Sequence, residues 1–197
     1  MPTRRLNPEM VLDTAAALAN ERGDAAAVSL TALAETLGVR VPSLYNHVDG
    51  LAGLRAELGR RAQLALLDQV RAAAAGRSGA DALRAMGLAY RRFAHEQPGL
   101  YPLTVIAPDP DDAPGQAVAA EWLSLLARIM AALDLHGEDV LHAMRGYRAL
   151  LHGFVSLETA GGYKLDLDRD ASFERLLDSY MRGLAHPTGT APSEAAR

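Results

Sequence analysis

The sequence predicts an all-α chain: an N-terminal three-helix domain containing a helix-turn-helix, joined by a long helix to a larger helical domain. Three observations carry this. Apolar residues recur at the 3.6-residue period in one segment after another, from Val11, Leu12, Ala15 and Leu18 to Phe173, Leu176 and Leu177. No alternation of apolar and polar residues runs long enough for a useful strand. Residues 29–48, SLTALAETLGVRVPSLYNHV, carry the punctuation of two short helices around a tight turn.

Residues 1–50 are expected to form the first domain. Asn7-Pro8-Glu9 reads as a helix start, with a capping side chain, a proline in the first turn and an acid near the positive end of the dipole. That helix is predicted over about 7–22, stopping at Gly23. Ser29 is placed to cap a second helix, in which Leu30, Leu33, Ala34 and Leu37 make one apolar face. Gly38 follows, where a left-handed conformation costs a glycine little. Pro42 falls in the first turn of the third helix, where its missing N–H is no loss. Ala34, Gly38 and Leu44 thus supply the small residue, turn residue and buried aliphatic that the motif needs. Projected at about 100° per residue, Val41, Leu44 and Val48 face inward and Pro42, Ser43 and Asn46 outward, with Tyr45 and His47 on the flanks.

A short helix with a polar outer face fits the major groove of B-DNA. Asn46 can pair bidentately with adenine or approach a phosphate, Ser43 can serve either, and Tyr45 and His47 suit phosphates and orientation. The run TLGVRVPSLYNHV, followed by a leucine-rich helix, resembles the DNA-binding segment of the TetR family of bacterial repressors, over roughly residues 7–60. The resemblance implies a cytoplasmic homodimer that binds a palindromic operator in duplex DNA and answers to a small-molecule effector. The residues expected at the DNA are Thr31, Arg40, Val41, Pro42, Ser43, Tyr45, Asn46 and His47. The family commonly starts the next helix with a phosphate-touching lysine; here Asp49-Gly50-Leu51 stands there, which leaves backbone amides for that contact.

The charge balance runs against a nucleic-acid partner. Net charge is −4 and the pI about 5.8, and the first 50 residues hold four arginines and no lysine against six acids. A dimeric repressor needs only local positive charge, here from Arg4, Arg5 and Arg40, with helix N-termini adding to it. The acidic balance favours a second reading, a helical protein-interaction adaptor whose helix-turn-helix has lost DNA. With no cysteine in the chain, disulfides and thiolate metal sites are excluded. No apolar run approaches the ~20 residues of a membrane span, and MPTRRLNPEM lacks the apolar segment of a signal peptide, so no membrane is expected as a partner.

A connecting helix is predicted over 51–75, through Leu54, Leu58, Ala62, Leu64 and Leu67, ending at Gly76-Arg77-Ser78-Gly79. Its start packs under the first domain and its end enters the next, so it is either a lever or a plain connector. Residues 76–186 form the second domain, with helices at about 80–97, 115–135, 137–161 and 170–185 and a short turn near 98–106. Loops fall at 108–115 and 161–170, and a disordered tail at 187–197.

Residues 80–162 mix large adaptable side chains with few polar ones, the lining of a pocket between helices or an ordinary core. Met86, Tyr90, Tyr101, Trp122, Met130 and His142 are the expected ligand-pocket residues. A dimer face is expected where Gly146 and Gly153 share a stripe with Leu150 and Leu157, joined by Leu177, Tyr180 and Met181 of the last helix. Residues 151–158, LHGFVSLE, also resemble a TetR C-terminal subfamily named for a Trp-His-Gly motif, with Leu151 in place of the tryptophan.

Neither a metal site, a cofactor nor catalysis is expected. Asp109 and Asp111 begin like a calcium loop but meet Pro114 at the sixth position and Ala120 at the twelfth. Asp166, Asp168 and Asp170 meet Ala171 and Leu177 there, so solvated loops and a helix cap from Asp170 are expected instead. No H-E-x-x-H, G-x-S-x-G or phosphate-cradling glycine loop is present. His142 and His152 lie ten residues apart on one helix, about 80° apart around its axis.

Overall fold

The computed structural model describes residues 6–185, so the expected basic arm at Arg4 and Arg5 and the tail at 187–197 lie outside the described residues. The described chain is helical throughout: α1 Pro8–Arg22, a 3₁₀ turn Ala25–Ala27, α2 Leu30–Leu37, α3 Val41–Leu44, α4 Gly50–Ala74, α5 Gly79–Glu96, α6 Tyr101–Thr104, α7 Ala113–Ala131, α8 Glu138–Thr159 and α9 Arg169–Ala185. None of these helices is long and apolar enough to cross a membrane.

Local chemistry sets the helix ends in the first domain. Asn7 accepts from the Met10 amide at 2.8 Å, and Ser29 from the Ala32 amide at 3.2 Å. Gly23 and Gly38 close α1 and α2 in the left-handed region, at φ 68° and 67°. Val11, Ala15, Leu18, Leu33, Ala34 and Leu44 bury one face each of α1, α2 and α3 in a common core.

The third helix is shorter than its projection. Its α-helical part stops at Leu44, and residues 45–47 continue as turns. The Val48 amide still reaches the Leu44 carbonyl at 3.0 Å, while His47 bonds the same carbonyl at 2.8 Å in a tighter, 3₁₀-like way. Arg40 offers no side-chain cap, and Asp49-Gly50, with Gly50 at φ 61°, ends the run. Val41 and Val48 are half-buried rather than fully inward.

α4 spans 25 residues, about 37 Å at the helical rise. It packs against α1 at one end and against α5, α6 and α7 along the rest. Leu54, Leu58, Ala62, Leu66, Leu67, Val70 and Ala74 form its buried stripe, and Leu64 is 41% exposed. α5 is the centre of the second domain and touches α4, α7, α8 and α9. At Gly87 of α5 the helices approach so closely that a Cβ would lie 2.9 Å from Leu177 Cδ2 and 3.2 Å from Leu151 Cδ2.

The acidic loops do local structural work. Asp112 caps α7 through the Gly115 amide at 3.2 Å and pairs with Arg60 of α4 at 2.9 Å. Asp168, not Asp170, caps α9, accepting from the Asp170 amide at 2.8 Å. The expected cap at Asp170 is corrected because α9 starts at Arg169, one residue early, which frees the Asp170 carboxylate for Arg91 at 2.7 Å.

Candidate functional site

The outer surface of the helix-turn-helix is built from α2, α3 and the turn after α3. Leu44, wholly buried, anchors the segment against Leu33 and Ala34. With that anchor fixed, Thr31, Arg40, Pro42, Tyr45 and Asn46 stand exposed, and Val41, Ser43 and His47 are half-buried. Tyr45 leaves 59% of its surface to solvent. An aromatic that exposed adds little to the core, whereas a phenol among amide, hydroxyl and guanidinium groups offers a donor to a phosphate backbone.

Three hydrogen bonds fasten this domain to the second one. Asn20, in the last turn of α1, donates from Nδ2 to Gln97 Oε1 at 2.6 Å and accepts from the Gly99 amide at 3.1 Å. The Ala25 amide donates to the Gly99 carbonyl at 3.1 Å. Arg55 of α4 adds a bond to the Ala26 carbonyl at 3.0 Å, and Arg61 of α4 pairs with Asp13 of α1. The turn between α5 and α6 is therefore seated in the corner where α1 meets the 3₁₀ turn.

Two residues beyond Gly99 lies Tyr101, the first residue of α6. Its hydroxyl sits 3.1 Å from that of Tyr90 and 2.7 Å from His152 Nδ1, and Ser156 Oγ lies 3.3 Å from His152 Nε2. The rings of Tyr90 and Tyr101 meet edge to face at 5.6 Å. Burial pushes both phenols above their ordinary range, Tyr101 further, with the neighbouring Tyr90 adding to the rise. Both hydroxyls thus stay protonated at neutral pH and can donate as well as accept. This is a neutral polar strip inside an apolar domain, running across α5, α6 and α8.

Over residues 83–180 the chain matches the family model described as the tetracyclin repressor-like C-terminal domain. It is 33% identical over 184 residues to the HTH-type transcriptional regulator YobS of Bacillus subtilis strain 168, covering 93% of this chain and 95% of that protein. The HTH-type regulator Rv0681 of Mycobacterium tuberculosis H37Rv is 33% identical over 162 residues, 82% of this chain and 74% of its own. Among solved structures, the regulatory protein SCO4313 aligns with a TM-score of 0.70 at 28% identity, over 88% of this chain and 94% of that one. The chain belongs to the TetR family. It is a transcriptional regulator of the TetR type. The matched C-terminal model is described by the tetracyclin repressor, and the finer Trp-His-Gly kinship of residues 151–158 is not what it names.

Within this TetR-type frame the residues expected at a ligand separate into three groups. Met86, Tyr90, Tyr101 and Met130 are closed into the core, Trp122 is half-buried on α7, and His142 is exposed on α8. His142 is therefore not the histidine that meets Tyr101. The rotation of about 80° between positions 142 and 152 turns one histidine to solvent and the other inward, and His152 takes that place.

The residues expected at a dimer face also divide. Leu177 is 1% exposed, and its partners are in its own chain at Gly87. Gly146 is narrow for a local reason as well, since a Cβ there would come within 2.7 Å of the Tyr180 hydroxyl. Its close approach joins α8 to α9 of the same chain. Gly153 meets nothing within 4 Å, and beside it Leu157 is 53% exposed and Leu150 half-buried. Tyr180 and Met181 are half-buried.

One cluster escaped the sequence reading. Glu158 of α8, a buried carboxylate, accepts from Arg91 Nε at 2.8 Å and Nη2 at 2.6 Å, with His95 Nε2 2.9 Å away. The Arg91 guanidinium also lies over the rings of Phe154 and Phe173, at 5.6 and 5.2 Å. The hydrogen bonds from Arg91 hold the Glu158 carboxyl below the usual carboxylate range, against the opposing pull of burial. Arg91 is held above its ordinary value by the same pair. This group ties α5, α8 and the start of α9 together.

Proposed function

We propose that this chain is a dimeric transcriptional repressor, acting in the cytoplasm and without catalytic activity. It reads a palindromic operator in duplex DNA with the surface of Arg40, Pro42, Ser43, Tyr45 and Asn46. A small molecule lodged against Tyr90, Tyr101 and His152 sets its hold on that operator. The observation that carries the reading is the seat of the α5–α6 turn on α1, two residues from Tyr101. A ligand that exchanges hydrogen bonds with the tyrosine strip must shift α6, and α6 packs directly on α4. Any such shift reaches the reading head by two routes, through Gly99 to α1 and through α4.

Two recognition elements must stand about 34–36 Å apart to meet successive major grooves. The faces of α8 and α9 around Gly153 and Leu157 supply the dimer contact, so a tilt of α4 changes that separation. Only an effector with different affinities for the two spacings does this, and such coupling is typically about 1–3 kcal/mol.

Selection of bound fragments from random duplex DNA tests the reading. A recovered palindrome, bound in a salt-dependent way by two chains, is the expected result. Recovery of no enriched sequence supports the adaptor reading instead, and a non-symmetric single half-site removes the dimer from the proposal.

A further inference from the structure

At the end of α4 farthest from the reading head, a cleft of about 350 Å³ opens between α4, the start of α5 and the second half of α7. Its volume falls in the range of small-molecule sites, which is about 300–1,000 Å³. The floor is apolar: Leu125 and Ile129 are buried at 7% and 8% exposure. The rim is basic, carrying Arg71, Arg77 and Arg128, in a chain whose net charge is −4.

The three guanidinium groups are not equally committed. Arg71 is shared between Asp68 at 3.2 Å and Glu121 at 2.6 Å. Arg77 donates to the Ala73 carbonyl at 2.7 Å, and Arg128 to Ser124 Oγ at 3.2 Å. Neither Arg77 nor Arg128 has a carboxylate within ion-pair distance among the described residues. Ser78, also on the wall, is the N-cap of the 18-residue α5, and its side chain makes no capping bond. The start of that helix and the Ser78 hydroxyl therefore line the same cleft as two guanidinium groups that lack a carboxylate partner among the described residues.

We propose that this cleft binds a small amphiphilic organic anion, a carboxylate on a compact apolar body. Its head is held by Arg77 and Arg128 at the rim beside Ser78, and its body lies on Leu125 and Ile129. The chemistry follows from the lining. A guanidinium fork matches a carboxylate in two parallel bonds, and the buried leucine and isoleucine reward an apolar tail that a bare anion lacks. The site stands apart from the Tyr90–Tyr101–His152 strip and does not rest on the operator reading.

The experiment is calorimetric titration of the full chain with benzoate, hexanoate and inorganic phosphate at matched ionic strength. Benzoate or hexanoate should bind measurably, with phosphate weaker by about tenfold or more, the tail being worth at least one charge-assisted bond. Replacing both rim arginines, Arg77→Gln with Arg128→Gln, should weaken the carboxylate by about tenfold or more as well. These side chains are exposed, so the fold is preserved; Ala132→Trp, which fills the cleft and keeps both arginines, should have the same effect. Tyr101→Phe should leave the binding unchanged. Failure of both carboxylates to bind, phosphate binding as tightly as they do, or affinity that survives both the double variant and Ala132→Trp overturns the proposal. Loss of binding in Tyr101→Phe alone places the ligand at the tyrosine strip and overturns it too.

Discussion

Gly99 is pressed against Ala19 so tightly that a Cβ built on it would lie 2.0 Å from the Ala19 carbonyl oxygen. The obstacle is backbone at the end of α1, which a side-chain rotation cannot relieve. Gly99→Ala should therefore push the α5–α6 turn out of its seat, weaken the bonds to Asn20 and Ala25, and cost about 1–3 kcal/mol as an overpacked contact. Urea denaturation gives the stability change. Operator affinity should fall with it, since the head loses its registration on the second domain. A variant as stable as the parent, with unchanged DNA affinity, would show that this contact transmits nothing.

The exposed surface of the reading head can be tested without touching the fold. Asn46→Ala and Tyr45→Ala remove side chains that face solvent, so melting temperatures should stay close to the parent. Loss of a bidentate base contact at Asn46 costs about 1–3 kcal/mol of operator affinity and relaxes the preference at one base position. Tyr45→Ala should weaken binding more evenly across sequences, as a phosphate contact does. Equal affinity of both variants and parent at matched salt removes the assignment.

Gly153 offers a clean probe of assembly because a Cβ there meets nothing in its own chain. Gly153→Glu should leave the protomer folded and place a charge where two chains approach across α8 and α9. Sedimentation over a wide concentration range should give a dimer for the parent and a monomer for the variant. A parent that sediments as a monomer throughout refutes the interface. Gly146 would be the wrong choice, because a side chain there collides first with Tyr180 of the same chain.

The helix frame was legible because it is written locally. Asn7, Ser29, Gly23 and Gly38 act on neighbours three or four residues away, and each sits where the structure uses it. What was not legible depends on partners far along the chain. Gly99 meets Ala19 across most of two domains, and nothing in either residue's neighbourhood marks the pair. His142 is exposed while His152 meets Tyr101, because helix register and not residue type decides which histidine shares a stripe with buried neighbours. Register would have helped there. Glu158 follows Leu151, Phe154 and Val155 at spacings of seven, four and three, so it lies on their buried face despite its charge. The same argument places Arg91 on the stripe of Gly87 and Ala94. Two opposite charges on two buried stripes are a signal that single-helix periodicity passes over.

The Arg91 guanidinium serves two carboxylates in very different surroundings. The Glu158 side chain is 4% exposed, while that of Asp170 is 77% exposed. Glu158→Gln takes away two charge-assisted hydrogen bonds and leaves Arg91 only the exposed Asp170 carboxylate, so it should cost about 1–3 kcal/mol. Asp170→Asn, on the same cation but in water, should cost about 0–1 kcal/mol. The pH dependence has a definite sign. Glu158 is held below its ordinary value of 4.5 by Arg91, so its contribution is fully present above that value. It is lost as pH falls from there through the lowered folded value, because the unfolded chain takes up the proton first. The stability gap between parent and Glu158→Gln should be flat from neutral pH down to about 5 and should shrink below about 4.5. Urea titrations at a series of pH values measure both quantities. A gap that stays constant into strong acid, or a Glu158→Gln cost no larger than that of Asp170→Asn, would show that the pair does not hold α5, α8 and α9 together.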